Sequence, residues 1–221
     1  HFDIAFQGIR ETLESNEYSK KGCRVFSGVD YLVMSPNFQT LRNGWKSHNK
    51  FKKILLTFGG TDVANFSIKS LEFFSNQPWG FEISLVLGPG ISDLESIQRK
   101  VDETSLRVKM MPSVSCLPKS MTNADLVIAT AGLGTLSELA LTGAPAIVIS
   151  AVDHQVYNAL KFSSYGIVDR AEIPGVWTNA IANDLNGFLE NPNQLAELSE
   201  KWDGLVDGEG IDRIVGILES Y

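Results

Sequence analysis

Short, continuously apolar runs alternate with segments of helical periodicity through most of this chain, and that alternation constrains the fold more than any other feature. The pattern starts at Lys53 with "KILLTF" and continues through "FEISLVLG", "LRVKMM" and "DLVIAT". Runs of this character are typical of parallel strands that are covered by helices on both faces. The segments between them are long enough to form the helices of right-handed crossovers.

Two further runs, "PAIVIS" and "IVDR", bring the set to about six strands, which suits one doubly wound sheet. Two or three helices are expected to finish the chain, in "WTNAIANDLNGFLE", "PNQLAELSEKW" and "GIDRIVGILES". The sequence therefore predicts an α/β fold with a Rossmann-like, doubly wound parallel sheet over residues 51–221.

Two of the intervening helices carry specific expectations. The helix after the first strand is expected in "VANFSIKSLEFF", with Thr61 or Asp62 as its N-cap. A short helix is expected in "VSCLPKSMTN", where Pro118 is compatible with the first turn.

Residues 1–50 lack this regular pattern and are expected to form a separate segment. Pro36 interrupts their second apolar run. The polar, basic stretch "RNGWKSHNKFKK" that follows is typical of a linker. Because the chain begins with His1, we expect it to be the second part of a longer protein.

The composition argues against several classes of partner. The 221 residues are 43% hydrophobic and 20% charged, which is an ordinary globular balance. A formal net charge of −7 argues against a broad surface for nucleic acid or anionic membrane. No apolar run reaches the roughly 18 residues that a membrane span requires.

The cysteines and histidines indicate neither a metal site nor a cofactor. Cys23 and Cys116 lie far apart and form no disulfide framework or zinc motif, which fits a cytoplasmic setting. The histidines, at positions 1, 48 and 154, lack the spacing of metal ligands.

Ligands of doubly wound sheets bind at the carboxyl ends of the strands, and the first such end carries Gly59, Gly60 and Thr61. Paired glycines let the backbone turn sharply and bring its N–H groups close to a phosphate or sugar. A tight strand-to-helix turn with a capping residue explains the same residues equally well, so both interpretations stay open.

The stretch from Thr130 to Pro145, "TAGLGTLSELALTGAP", follows another strand. The N–H groups from Gly132 through Gly134 to Thr135 would point out of a helix N-terminus, where the dipole favours an anion. Alternatively, the glycines only permit close packing of the helix on the sheet. A dinucleotide fingerprint is not favoured, because Ser137 stands where its third glycine would be.

Glu138 lies in the first turns of the same helix. A carboxylate there complements the helix dipole, and its two oxygens can also accept hydrogen bonds from both hydroxyls of a ribose. Gly143 is expected to end the helix, and Pro145 to open the next strand.

The next strand is followed by "AVDHQVYNA", where Asp153 is a candidate helix cap. Gln155 and Asn158 are i, i+3 neighbours whose amides suit sugar hydroxyls, unless they serve only as caps and surface groups. His154 is a candidate acid or base, and no other catalytic residue is identified. The sequence predicts a binding surface here rather than a catalytic centre.

Together, "FGGTD", "AGLGTLSE" and "DHQVYNA" resemble the carboxyl-terminal half of the GT-B glycosyltransferase superfamily. One similar group is the peptidoglycan N-acetylglucosaminyltransferase. The other is the UDP-sugar hydrolase of pseudaminic acid biosynthesis, which is grouped with spore coat polysaccharide biosynthesis proteins. The second group is more similar, through "ILLTFGGTDVANFS" and the upstream "GVDYLVMSPNF".

The resemblance implies one half of a GT-B architecture and a UDP-linked amino sugar as ligand. It places the diphosphate at the two glycine turns, the ribose on Glu138 and uracil near the backbone of Met110 and Met111. The donor sugar would face Gln155, with His154 or Asn158. The residues so implied are Gly59, Gly60, Thr61, Met111, Gly132, Gly134, Thr135, Glu138, His154, Gln155 and Asn158.

The resemblance also implies a part in surface polysaccharide biosynthesis, most closely as a UDP-sugar hydrolase that releases UDP from the anomeric carbon. The alternatives are a glycosyltransferase and a non-catalytic nucleotide-sugar-binding module. A sugar-nucleotide epimerase shares the architecture but needs catalytic carboxylates that the sequence does not identify. Residues 1–50 would be the remnant of an amino-terminal domain plus a linker. Without that domain, we expect weak or no nucleotide binding and no turnover.

Overall fold

The computed structural model describes residues 4–7, 22–48 and 50–220, and within them eight strands form two parallel sheets. The strands are β1 (Ile4–Gln7), β2 (Arg24–Ser27), β3 (Lys53–Thr57), β4 (Glu82–Leu87), β5 (Arg107–Pro112), β6 (Leu126–Thr130), β7 (Ala146–Ile149) and β8 (Ile167–Asp169). β1 pairs with β2 in a small sheet, and the other six strands form the main sheet.

The main sheet has the strand order β5-β4-β3-β6-β7-β8, and every neighbouring pair in it is parallel. This confirms the predicted doubly wound sheet. The chain builds outwards from β3 on one side and then crosses to β6 to build the other side. The strand order therefore reverses between β3 and β6, and a crevice opens at the carboxyl ends of those two strands.

Nine helices accompany these strands in the described residues. They are α1 (Pro36–Gln39), α2 (Phe66–Ser75), α3 (Leu94–Asp102), α4 (Ser113–Asn123), α5 (Leu133–Thr142), α6 (Asp153–Phe162), α7 (Ala180–Glu190), α8 (Asn193–Glu200) and α9 (Gly210–Glu219). A 3₁₀ turn over Val29–Tyr31 precedes α1. Gly143 ends α5 in a left-handed conformation, with φ of 74°, as predicted.

The centre of the main sheet is sealed from solvent on both faces. Leu55 and Leu56 on β3, Ile128 on β6 and Ile147 on β7 are all fully buried. Successive residues of a strand point to opposite faces, so the burial of both Leu55 and Leu56 requires a cover on each face. This double cover is why the strands are continuously apolar in the sequence.

Helix α2 begins later than predicted. It starts at Phe66, because Asp62 and Asn65 adopt left-handed conformations, with φ of 45° and 53°, that interrupt the helical path. The N-cap position falls on Asn65, whose side chain makes no cap bond. The predicted Asp62 supplies the cap from three residues upstream, because its carboxylate accepts hydrogen bonds from the first two N–H groups of the helix.

Helix α4 also differs from expectation. Pro118 lies inside this helix and not in its first turn. A proline at such a position removes one i→i−4 hydrogen bond, and α4 nevertheless runs on to Asn123.

The segment before β3 packs against the main sheet. Five of its side chains join the same hydrophobic core: Leu32, Met34, Phe38, Trp45 and Phe51. The N–H of Asn43 donates to the carbonyl of Leu141 at 2.8 Å, and the N–H of Trp45 donates to the carbonyl of Thr142 at 3.0 Å. The stretch predicted as a linker is therefore fastened to the carboxyl end of α5.

Candidate functional site

A cavity of about 310 Å³ lies where the strand order reverses, and we call it the switch-point cavity. It is lined by Ser35, Phe38, Thr57, Gly59, Gly60, Gly88, Pro89, Leu117, Pro118, Thr135 and Glu138. Four residues that the sequence analysis singles out therefore meet here: Gly59, Gly60, Thr135 and Glu138. They come from the carboxyl ends of β3 and β6, as the topology of a doubly wound sheet requires.

The glycine turn after β3 is held by a second glycine turn after β4. Gly59 has a φ of 78°, which glycine adopts without strain. The N–H of Gly90 donates to the carbonyl of Gly60 at 2.8 Å. A Cβ atom on Gly88 would collide with the carbonyl oxygens of Gly59 and Gly60. Gly88–Gly90 were not predicted as part of the site, although a Gly-Pro-Gly directly after a strand is a usable turn signal.

The two glycines at the start of α5 are not required by packing. Gly132 is the N-cap with an ordinary φ of −67°, and a Cβ there would approach only the Thr135 hydroxyl, at 3.8 Å. A Cβ on Gly134 would meet no atom within 4 Å. Close packing of helix on sheet therefore does not explain these glycines. They keep the approach to the helix N-terminus free of side-chain atoms.

The N-termini of α2 and α5 differ in what they offer an anion. The Asp62 carboxylate, 7% exposed, accepts hydrogen bonds of 2.8 Å from the N–H groups of both Phe66 and Ser67 at the start of α2. The N-cap of α5 is Gly132, which has no side chain to accept the first N–H groups of its helix. The N–H of Gly132 does not point out of the helix N-terminus as predicted, because it donates to the carbonyl of Thr130 at 2.8 Å. An anionic ligand therefore finds available donors within the first turn of α5, not at α2.

Glu138 is the one ionisable side chain among the described residues that line the switch-point cavity. Burial raises the pKa of this carboxyl from 4.5 to about 7, because a desolvated carboxylate is less stable than its neutral form. Glu138 lies beyond the first turn of α5, and the helix dipole acts mainly within that turn. The dipole is therefore a poor explanation for a carboxylate at this position.

The amide side chains of Gln155 and Asn158 bind backbone groups in the turns after β7 and β6, and neither residue lines the switch-point cavity. The Gln155 Oε1 accepts a hydrogen bond from the N–H of Ala151 at 2.7 Å. The Asn158 Nδ2 donates to the carbonyl of Ala131 at 3.1 Å, directly before the glycines of α5. Both amides therefore shape the turns at the carboxyl ends of β6 and β7.

The expectation that Asp153 caps α6 is wrong. The N-cap is Val152, and Asp153 is the first residue of the helix, with an exposed side chain. The Gln155 side chain instead accepts a hydrogen bond from the N–H of Ala151, in the turn that precedes the helix. His154 is exposed in the first turn of α6 and does not line the switch-point cavity.

Thr61 and Met111 lie outside the switch-point cavity. Thr61 lines an adjoining cavity of about 340 Å³ together with Asp62 and Lys69. The side chain of Met111 is buried and lines a groove on a face of the sheet.

Several lining residues of the switch-point cavity were not predicted as site residues. Ser35 and Phe38 come from the segment that was expected to be separate, and Leu117 and Pro118 come from α4. No local signal marks them, because their place in the cavity depends on how distant segments pack.

Neither a metal cluster nor a membrane span is found in the part of the chain that the structure describes. No group of three or more His, Cys, Asp or Glu residues there is arranged to hold a metal ion. No helix there combines the length and the hydropathy that crossing a bilayer needs.

The chain is similar to known proteins along most of its length. Residues 54–201 match the glycosyltransferase family 28 C-terminal domain. The chain is 26% identical over 221 residues to the spore coat polysaccharide biosynthesis protein SpsG of Bacillus subtilis, covering 99% of this chain and 65% of that protein.

Two further proteins extend this similarity. A UDP-N-acetylglucosamine–N-acetylmuramyl-(pentapeptide) pyrophosphoryl-undecaprenol N-acetylglucosamine transferase of Carboxydothermus hydrogenoformans is 28% identical over 182 residues, covering 77% of this chain and 47% of that protein. The crystal structure of Acinetobacter baumannii MurG matches with a TM-score of 0.65 at 15% identity, covering 99% of this chain and 66% of that one.

The chain thus spans about two thirds or less of these proteins. The matched region contains the main sheet except for Lys53, and all the lining residues of the switch-point cavity except Ser35 and Phe38. The match covers more than half of the chain, and the fold agrees with it. The chain therefore belongs to the glycosyltransferase family 28 C-terminal domain, the carboxyl-terminal half of a GT-B architecture.

Proposed function

We propose that this chain binds a UDP-linked amino sugar in the switch-point cavity, as the nucleotide-binding half of an enzyme of surface polysaccharide biosynthesis. One observation carries the proposal. A left-handed glycine turn, the Thr135 hydroxyl in the first turn of an uncapped helix, and a carboxyl group whose pKa is raised by burial line one cavity at the switch point of the sheet. The similarity to a spore coat polysaccharide protein and to UDP-N-acetylglucosamine transferases supports this choice of ligand.

The diphosphate is assigned to the start of α5, with Gly59 and Gly60 facing it from β3. Gly132 and Gly134 leave room for phosphate oxygens to approach the N–H groups, and the Thr135 hydroxyl adds a donor. Glu138 follows Thr135 by three residues, about 4.5 Å along the helix axis. That spacing lets the carboxylate receive the ribose hydroxyls while the phosphates stay at the helix end.

The sugar and the base are assigned to the flanking turns. Gln155 and Asn158 hold the turns beside the cavity, and each amide keeps a polar atom that its backbone bond does not use. We assign the donor sugar to this side, with His154 nearby. Uracil is assigned to the backbone that follows Met111. Residues 51–221 would form the nucleotide-sugar domain, and residues 1–50 the remnant of an amino-terminal domain plus a linker.

The assigned groups suit the departure of UDP from the anomeric carbon. Backbone N–H groups and a helix N-terminus stabilise the negative charge that develops on the leaving diphosphate. In hydrolysis a water molecule displaces UDP, and in transfer an acceptor hydroxyl does so. Resemblance to the hydrolase group favours hydrolysis, and the transferases among the relatives favour transfer. We assign the activation of water or acceptor to a second domain.

A nucleotide titration followed by the backbone amide signals of the chain tests the ribose assignment. UDP is compared with 2′-deoxy-UDP in the wild type, in Glu138→Gln and in Glu190→Gln, an exposed control on α7. A hydrogen bond to a charged group is worth about 1.5–3 kcal/mol. We therefore expect the wild type and Glu190→Gln to prefer UDP by roughly tenfold or more, and Glu138→Gln to lose most of that preference.

Two results would contradict the proposal. If Gly59, Gly134 and Thr135 show no saturable signal change with UDP, the nucleotide site is wrong. If Glu138→Gln keeps the full preference for UDP over its 2′-deoxy analogue, the ribose assignment is wrong while nucleotide binding stands.

A further inference from the structure

A second, larger cavity lies at the opposite end of the main sheet, and we call it the amino-edge groove. It has a volume of about 690 Å³, and its polar lining includes Lys53, Glu82, Ser84, Arg107, Lys109 and Ser120. Lys53, Glu82 and Arg107 are the first residues of β3, β4 and β5. The groove opens at the amino ends of these strands and runs along β5 as far as Met111, whereas the switch-point cavity lies at the carboxyl ends of β3 and β6.

The strand register places the charged residues of the groove on one face. Lys53 pairs with Glu82, and Glu82 pairs with Arg107, so these three form a row across the sheet. Lys109 pairs with Ser84 two residues further along the strands. Since side chains repeat on one face every second residue, Lys109 and Ser84 form a second row on the same face.

The single carboxylate of the groove is already neutralised. The Glu82 Oε1 lies 2.8 Å from the Lys52 Nζ and 3.8 Å from an Arg107 guanidinium nitrogen. The hydrogen bond from Lys52 is the main reason that the pKa of Glu82 is lowered from its ordinary value. Lys52, Arg107 and Lys53 all lower the pKa of this one carboxylate, so the positive charges around Glu82 outnumber its single negative charge.

Lys53 and Lys109 are two further cations of the groove, and Lys53 acts on Glu82 only through space. Both are exposed, and neither forms an ion pair with any described residue. The groove is thus locally positive although the whole chain carries a formal net charge of −7. A local positive site on an acidic protein concentrates small anions and is weakened by salt.

The groove also offers uncharged hydrogen-bonding groups. Ser84 lies within β4, and Ser120 and Asn123 lie one turn apart on α4. A face of a parallel sheet is normally apolar, yet this face carries a serine between charged residues. Hydroxyl and amide groups beside cations suit a ligand that has both hydroxyls and a negative charge.

We propose that the amino-edge groove binds a sugar phosphate of one or two sugar units. The phosphate lies between Lys53, Arg107 and Lys109, and the sugar hydroxyls bond Ser84, Ser120 and Asn123. The volume falls in the usual range for small-molecule sites, about 300–1,000 Å³. The choice of a sugar rests on the proposed function, whereas the choice of an anion rests on the groove alone.

An amide-resolved titration with N-acetylglucosamine 1-phosphate tests this site, with saturating UDP present to occupy the nucleotide cavity. The groove is reported by the amides of Lys53, Ser84 and Lys109, and the nucleotide cavity by those of Gly132 and Thr135. We expect saturable changes at the groove amides. Lys53→Gln/Lys109→Gln should weaken binding at least about tenfold, and Lys201→Gln, an exposed control outside the groove, should leave it unchanged.

Inorganic phosphate and N-acetylglucosamine serve as the partial ligands, and both should bind more weakly than the sugar phosphate. The proposal is overturned if changes appear only at Gly132 and Thr135, or if the double variant binds as tightly as the wild type. It is also overturned if inorganic phosphate binds as tightly as the sugar phosphate. A failure of UDP to shift Gly132 and Thr135 would count against the proposed function and not against the groove.

Discussion

Thr135 and Glu138 lie one helical turn apart on α5, and both line the cavity at the switch point of the main sheet. This relationship sets a hydroxyl and a carboxyl group side by side where a doubly wound sheet binds its ligand. The carboxyl group is buried enough to raise its pKa to about 7. A group held in such a costly state is expected to serve a ligand rather than the stability of the fold.

The first prediction concerns the stability of Glu138→Gln. The pKa of Glu138 is about 7 in the folded protein and 4.5 ordinarily, so the folded state holds this proton more tightly between those pH values. The free energy of unfolding therefore falls as pH rises from 4.5 to 7 and then levels off. At pH 8 the free energy of unfolding of Glu138→Gln should exceed that of the wild type by up to about 3 kcal/mol. Near pH 4.5 the two proteins should have equal free energies of unfolding.

Urea unfolding at the two pH values measures this difference. Glu190→Gln, on the exposed surface of α7, is the matched control and should track the wild type at both. A Glu138→Gln protein that is less stable than the wild type at pH 8 would show that the carboxylate has a stabilising partner.

The second prediction concerns Gly134→Ala. The added Cβ meets no atom within 4 Å, and alanine in a helix is better than glycine by up to about 1 kcal/mol. The variant should therefore unfold at a higher urea concentration than the wild type. The same methyl group obstructs the approach to the N-terminus of α5, so UDP affinity should fall. A loss of stability together with unchanged UDP binding would restore the packing explanation of this glycine.

The third prediction concerns the two glycine turns. In Gly88→Ala the methyl group collides with the carbonyls of Gly59 and Gly60, and backbone atoms give way only at a cost of about 1–3 kcal/mol. Thermal unfolding should show this loss, and the amides of Gly59 and Gly60 should shift. Gly216→Ala, where a Cβ on α9 has open space, should be neutral or stabilising. If Gly88→Ala and Gly216→Ala unfold at the same temperature, the contact between the two glycine turns is refuted.

The fourth prediction concerns the cap of α2. Asp62→Ala removes a buried carboxylate that accepts hydrogen bonds from Phe66 and Ser67. It also places alanine at a φ of 45°, which asparagine tolerates better. Urea unfolding should show a loss of about 2–3 kcal/mol for Asp62→Ala and a smaller loss for Asp62→Asn. Asp93 is an exposed cap that accepts one hydrogen bond, from the N–H of Ser96. Its replacement by alanine should therefore lower the free energy of unfolding by less. A similar loss for the two alanine variants would contradict the buried double cap.

The strand pattern could be predicted because its cause is local. Continuous runs such as "KILLTF" became β3 and its neighbours, since both faces of an inner strand need apolar side chains. The helix boundaries were less accurate. Asp62 and Asn65 delay the start of α2 through left-handed conformations, and Pro118 is accommodated inside α4. Such details depend on side-chain contacts that residue type does not specify.

The candidate site could be predicted only at the ends of the strands. Glycine turns and a nearby acid mark Gly59, Gly60, Thr135 and Glu138, and the structure brings these four together. Ser35, Phe38 and Pro89 join them from other parts of the chain. Nothing in their local sequence shows which distant strand end or helix they face.

By itself, the sequence determined the α/β class, the approximate strands and the turns most suited to a phosphate, because periodicity and turn chemistry act over a few residues. Only the tertiary structure decided that Asp62, and not Thr61, closes the N-terminus of α2 and that α5 keeps its own N-terminus open. It also showed that packing does not require Gly132 and Gly134. The space around Gly132 and Gly134 depends on how segments that lie far apart in the sequence pack. The two bonds of Asp62 depend on the left-handed backbone at Asp62 and Asn65, which residue type alone does not specify.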